Sequence, residues 1–227
     1  MQIGSIIDDW KQQGFLHAWV RGLVIFLKVF VAILVIGVLF GIVSLLMSVP
    51  AVIAAKIDNS FLTFIVTIVS GIISFIFVVF DVALTYTMVA ATGMAIRDRN
   101  DVSFGDLFYF FSAPNKGTIL LTCGLMILLT GIASICIIPG IILGICFIYT
   151  PYILLIQPEN KSPMAILKLS FSMVTGNIGL TIGALVDNFL LSLMSTCCFL
   201  LFPLTFPAMS KRMADAFVTR YVEMGGR

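Results

Sequence analysis

Residues 117–158 read GTILLTCGLMILLTGIASICIIPGIILGICFIYTPYILLIQP, 42 consecutive positions between Lys116 and Glu159 without one Asp, Glu, Lys, Arg or His. A hydrocarbon core about 30 Å thick takes roughly 20 apolar residues of helix to cross. The run is long enough for two crossings, and Pro139-Gly140 divides it near its middle. Proline presets one backbone torsion and glycine tolerates positive φ, so this dipeptide suits the turn of a transmembrane hairpin. The expected crossings are roughly 117–137 and 140–157, the second kinked at Pro151, which takes a backbone donor out of the helix.

Composition points the same way. Hydrophobic residues make up 60% of the 227 and charged residues 11%, with a mean hydropathy of +1.16. Soluble domains run about 45–50% apolar and about 25% charged, and a soluble core cannot absorb the difference. The expected fold class is all-α: an integral membrane bundle of about six transmembrane helices with amphipathic interfacial helices. No polar linker divides the chain, so residues 1–227 read as one domain. It comprises an amphipathic segment over 1–28, the bundle over 29–217 and a tail over 218–227. The first apolar run is too long, and begins too late, for a cleavable signal peptide, and is expected to remain as an anchor.

That first run, 29–55, lies between Lys28 and Lys56. A second starts at Phe61 and stays helix-compatible to Ile96, longer than one bilayer, with Asp81 either interfacial or buried. The stretch 177–210 fits one long crossing or two short ones. Lys and Arg gather on the cytoplasmic side of membrane proteins. Six crossings from a cytoplasmic amino terminus place twelve Lys and Arg inside and only Lys56 outside, whereas five give eight against five. The expected topology is multi-pass in the cell inner membrane with both termini cytoplasmic. The sixth helix then runs from about Phe199 to about Phe217, and Pro203 and Pro207 require it to be packed. Segments 3–23, 103–111 and 162–175 read as amphipathic, the last with Ser162 as N-cap and Pro163 in the first helical position.

An ionisable group at bilayer depth costs about 2.5–3.5 kcal/mol on insertion scales, so it normally has a partner or a function. Reflection across a turn near residues 196–198 brings Asp187 level with about residue 208. The sharpest expectation is therefore an intramembrane ion pair from Asp187 to Lys211 or Arg212. An interfacial Asp187 and a proton- or ion-handling Asp187 are the alternatives. Gly37/Gly41, Gly140/Gly144 and Gly179/Gly183 have the four-residue spacing that permits close helix packing.

The five cysteines lie in apolar stretches without Cys-x-x-Cys spacing, and His17 is the only histidine, so the sequence offers no metal set. It also lacks the zinc-protease, nucleophile-elbow and Walker motifs. The expectation is a non-enzymatic protein with no cofactor. A net charge of +2 without a dense basic run makes nucleic acid an improbable partner. Membrane lipids or another membrane protein are the expected partners, with a small secondary transporter or channel as the alternative.

One region has a more particular pattern. It begins Ile-Ile-Pro-Gly-Ile-Ile-Leu-Gly at residue 137, continues with Tyr-Thr-Pro-Tyr-Ile-Leu-Leu at 149 and Lys-Ser-Pro-Met-Ala-Ile-Leu-Lys-Leu-Ser at 161, and ends Thr-Gly-Asn at 177. With Phe104-Gly-Asp-Leu-Phe108 upstream, it resembles bacterial and archaeal multi-pass membrane families related to the membrane domain that accompanies some glycerophosphodiester phosphodiesterases. The matching positions include Pro139, Gly140, Pro151, Ser162, Pro163, Lys168, Ser170, Gly176 and Asn177. The resemblance implies a six-helix membrane fold over residues 15–222 and no assigned activity, because the phosphodiesterase catalytic domain is absent from this sequence.

Overall fold

The computed structural model describes residues 14–56, 60–99, 101–156 and 162–226. Two long helices, α1 (Phe15–Lys56) and α2 (Ser60–Arg99), lead into the short α3 (Phe104–Leu107) and α4 (Tyr109–Ser112). There follow α5 (Lys116–Ala133), α6 (Ile137–Cys146), α7 (Thr150–Ile156), α8 (Pro163–Gly176), α9 (Ile178–Cys197), a 3₁₀ turn (Phe199–Leu201) and α10 (Phe202–Glu223). Among the described residues there is no strand. Five stretches are long and apolar enough to cross a membrane: Phe15–Leu46 in α1, Thr63–Arg99 in α2, α5, Ile137–Ile156 over α6 and α7, and α9. The expected sixth, α10, is not one of them; it carries Lys211, Arg212, Asp215, Arg220 and Glu223.

Several boundaries differ from the expectation. Of the amphipathic segment 3–23, residues 3–13 lie outside the described residues, and the remainder continues through Lys28 into α1 without a break. The expected tail over 218–227 is helical as far as Glu223. Ser162 and Pro163 do what their types suggest, the Ser162 hydroxyl accepting from the Ala165 amide at 3.3 Å. Ser103 and Asp106 form a reciprocal capping box at α3.

The apolar hairpin turns at Ser134–Cys136, ahead of Pro139. Pro139 and Gly140 fall in the first turn of α6, where amide donors have no intrahelical partner and the missing N–H of proline is tolerated. Gly140 is required by proximity: a Cβ there would stand 2.7 Å from Ser134 Oγ and 2.9 Å from Ser134 Cα. The effect of Pro151 is stronger than a kink. The helix stops at Cys146 and resumes at Thr150, one residue before the proline. This break leaves the Cys146 carbonyl free, and Ser170 of α8 donates its hydroxyl to it at 2.9 Å.

α1 and α2 run antiparallel, with Phe40 against Phe77 and Phe80 at ring-centroid distances of 6.1 and 6.3 Å. Among the described side chains, the buried apolar residues of α1 end at Ile36 and those of α2 begin at Val79. The core thus gathers around one half of the hairpin, where the break before α7 adds Tyr149, and α7, α8 and α10 add Tyr152, Ile166, Met173 and Phe217. α10 meets α1 at its first turns. Pro207 cannot donate to the Pro203 carbonyl four residues earlier, and that carbonyl lies against Gly22, where a Cβ would come within 1.7 Å of it. Beside it, Trp19 Nε1 donates to the Leu200 carbonyl at 2.8 Å. The spaced glycines contribute less than expected, because Gly37, Gly41, Gly144 and Gly183 have nothing within 4 Å of a built Cβ. Gly22→Ala is therefore expected to destabilise by about 1–3 kcal/mol through overpacking, lowering the melting temperature in detergent by about 2–4 °C per kcal/mol. Gly37→Ala should leave it unchanged or slightly raised, and equal melting temperatures for both variants would refute the close crossing at Gly22.

Candidate functional site

Lys28, Arg97, Asp98, Arg99, Asp101, Asp106 and Asp215 meet at one end of the bundle, by the exit of α2; Asp81 and Lys56 lie away from it. Lys28 Nζ donates to the Val102 carbonyl at 2.8 Å and lies 3.4 Å from Asp101 Oδ1, tying α1 to the loop after α2. The Val102 amide donates to Asp101 at 2.7 Å, and with the Lys28 ammonium it holds the Asp101 carboxyl below the usual carboxylate range. Arg99 Nη2 donates to both carboxylate oxygens of Asp106, at 2.8 and 2.7 Å. Arg97 bridges Asp98 at 2.8 Å and Asp215 of α10 at 3.2 Å.

Asp187 has the partner its position predicts. Arg212 Nε donates to Asp187 Oδ2 at 3.0 Å, and the side chains are only 4% (Asp187) and 12% (Arg212) exposed. Lys211, the other cation considered, is half-buried on the adjacent position of α10. Such a pair adds little net stability once desolvation is counted, yet losing one member leaves an uncompensated charge. It holds α9 and α10 in register. Close by, Tyr149 and Thr181 share a buried hydroxyl contact at 3.1 Å. Arg220 Nε donates to the Met173 carbonyl at 3.1 Å, in the last turn of α8, where the helix dipole favours a cation. Its guanidinium covers Gly176, where a Cβ would stand 1.8 Å from Nη2. Among the described residues, Thr92 Oγ1, Thr150 Oγ1 and Asn188 Oδ1 are buried without a hydrogen-bond partner.

Two concavities flank α3 and α4. A mixed pocket of about 260 Å³ is lined by Asp98, Arg99, Asp106 and Tyr109 together with Ala91, Met94, Ala95 and Leu155; burial pushes the Tyr109 phenol above its ordinary value. A second, of about 230 Å³, is lined only by apolar residues, among them Leu39, Phe40, Phe77, Phe80, Phe108 and Phe111. Consecutive residues of one short segment, Phe108 and Tyr109, thus face an apolar groove and a mixed pocket. Asp81 is half-buried on α2 next to Phe80. The described residues hold no group of three or more His, Cys, Asp or Glu side chains able to share a metal ion. Cys123 and Cys146 are buried and Cys136, Cys197 and Cys198 exposed, all as free thiols.

The sequence pointed from Asp187 to Lys211 or Arg212, because reflection across a short turn is a local operation, and the structure pairs it with Arg212. It offered no sign of Trp19 with Leu200, Arg97 with Asp215 or Arg220 with Met173, whose members are 181, 118 and 47 residues apart. Asp187→Asn or Arg212→Gln alone is expected to cost about 3–5 kcal/mol, read as lost membrane yield and melting temperature. The double substitution should cost clearly less than the sum, and strictly additive losses would remove the pairing. Compared with known proteins, the chain matches no family, no curated protein and no solved structure.

Proposed function

We propose that this chain is an integral protein of the cell inner membrane with both termini in the cytoplasm, and that it acts without catalysis as a binding partner for membrane lipid. The observation that carries this reading is the arrangement around α3 and α4. An apolar groove walled by five phenylalanines and aliphatic side chains includes Phe108 and Phe111 of this segment, and a separate pocket that includes Tyr109 and Asp106 of the same segment also presents Asp98 and Arg99 among apolar side chains. An acyl chain matches the first and a polar headgroup the second. The five stretches long and apolar enough to cross a bilayer support the membrane setting. Orientation follows from the basic residues: with the charged end in the cytoplasm, twelve of thirteen Lys and Arg lie inside and Lys56 outside. That count holds for six crossings, and equally for four if α9 and α10 do not cross.

A small transporter or channel is the second reading, favoured by the break between α6 and α7 beside the unpartnered Thr150 hydroxyl. Lipid extraction and mass spectrometry of the detergent-purified protein distinguish the two. Filling the groove with Leu39→Trp and Val43→Phe should leave the melting temperature intact and weaken lipid retention about tenfold, equivalent to roughly 1.4 kcal/mol. Unchanged lipid content in this variant rejects the groove as the site. Solute flux into liposomes that vanishes in Asp187→Asn, while a Gly37→Ala control keeps it, would favour transport.

A further inference from the structure

α9 has the length and apolar content of a crossing, but both its ends lie against the charged half of the α1–α2 hairpin. Its carboxyl end leads into the Cys198–Leu201 turn, where the Leu200 carbonyl accepts from Trp19. Trp19 is nine residues before Lys28, about 13 Å along α1, on the side away from the α1–α2 connection. Lys28 itself is tied to Asp101 and Val102 at the exit of α2. The turn therefore sits at the outermost part of the charged end. The other end of α9 starts beside Tyr149, bonded to Thr181. Tyr149 precedes Leu155 by six residues, about 9 Å of helix, and Leu155 shares the mixed pocket with Arg99 and Asp106. A helix that begins about 9 Å inside the charged end and finishes beside Trp19 has not traversed a core about 30 Å thick.

The surface of α9 says what it lies in. Ile178, Ile182, Val186, Phe189 and Leu193, spaced by four, four, three and four, form one stripe, all exposed, Phe189 to 63%. Thr181, Ala184, Asp187, Leu191 and Ser195 form the opposite, buried face. The polar side turns inward and the apolar side outward, the reverse of a helix in water. α1 likewise leaves Val20, Val24, Leu27 and Val31 exposed.

From this we infer that α9 and α10 form a hairpin confined to the cytoplasmic leaflet, its apolar stripe immersed in acyl chains, and that the chain crosses the membrane four times, by α1, α2, α5 and α6–α7. The inference rests on the membrane placement proposed above. It retains the charge count, since removing two consecutive crossings leaves every later Lys and Arg on the same side. It also explains how α10 holds five charged residues without a transmembrane position for any of them.

Native thiols make the test direct. In a background where the other cysteines are replaced by serine, Cys197 is compared with Phe15→Cys and Ser60→Cys, at opposite ends of the α1–α2 hairpin. A membrane-impermeant maleimide is applied to intact spheroplasts and to inverted vesicles. Cys197 is expected to label with Phe15→Cys, in inverted vesicles only, and Ser60→Cys in spheroplasts only. Labelling of Cys197 from the Ser60 side, or from neither side, overturns the hairpin. If Phe15→Cys and Ser60→Cys label from one side, α1 does not cross and the membrane placement fails instead. A nitroxide at Phe189→Cys should collide with oxygen far more than with an aqueous nickel chelate; the reverse preference places the stripe in water and overturns the inference.

Discussion

A charged side chain has no tolerable place among acyl chains unless a partner neutralises it, and α10 is where that constraint acts. Its five charged residues are incompatible with an unassisted crossing, and the fold answers with ties to three other helices. Asp215 goes to Arg97 of α2, Arg212 to Asp187 of α9, and Arg220 to the last turn of α8. With α10 held there, Pro203 comes to rest on Gly22 and Phe217 stacks on Tyr152 at 5.1 Å between ring centroids. The core forms around this helix, which is why it occupies only the charged half of the α1–α2 hairpin.

The same helix accounts for the small residues the chain depends on. Gly22 admits a carbonyl that proline has left without a donor, and Gly176 admits a guanidinium. Gly93 faces the Ser210 carbonyl and the Tyr152 hydroxyl, both about 3 Å from a Cβ built there. All three contacts involve α10. By contrast, Gly37 and Gly41, whose spacing resembles a packing motif, have nothing among the described residues within 4 Å of a Cβ built on either. Spacing allows two helices to approach; it does not say whether they do.

Breaks in helices follow a related logic, because in a medium without water every freed carbonyl needs a protein donor. The interruption at Phe147–Tyr149 is stable because Ser170 reaches the Cys146 carbonyl, and this bond fastens α8 to the broken pair. Pro151 and Ser170 thus serve one device from opposite sides, although 19 residues separate them in sequence.

Much of this was legible in the chain itself. A 42-residue run without charge dictates apolar helices, since their backbone bonds close within the segment. The pairing of Asp187 with Lys211 or Arg212 was readable because antiparallel neighbours joined by a short turn reflect onto each other, and Ser162-Pro163 because capping is local. The turn at Ser134–Cys136 was misplaced to Pro139-Gly140 because proline is as well suited to the first helical turn as to the turn itself. What tertiary structure alone decided is where the α9–α10 hairpin lies. The count of Lys and Arg on each side is the same for a pair that crosses twice and a pair that crosses not at all, and α9 by itself has the length and apolar content of a crossing. Which part of the bundle the pair packs against is set by contacts between residues far apart in sequence, the Trp19 indole on the Leu200 carbonyl and the Tyr149 hydroxyl on Thr181, and no local pattern encodes them.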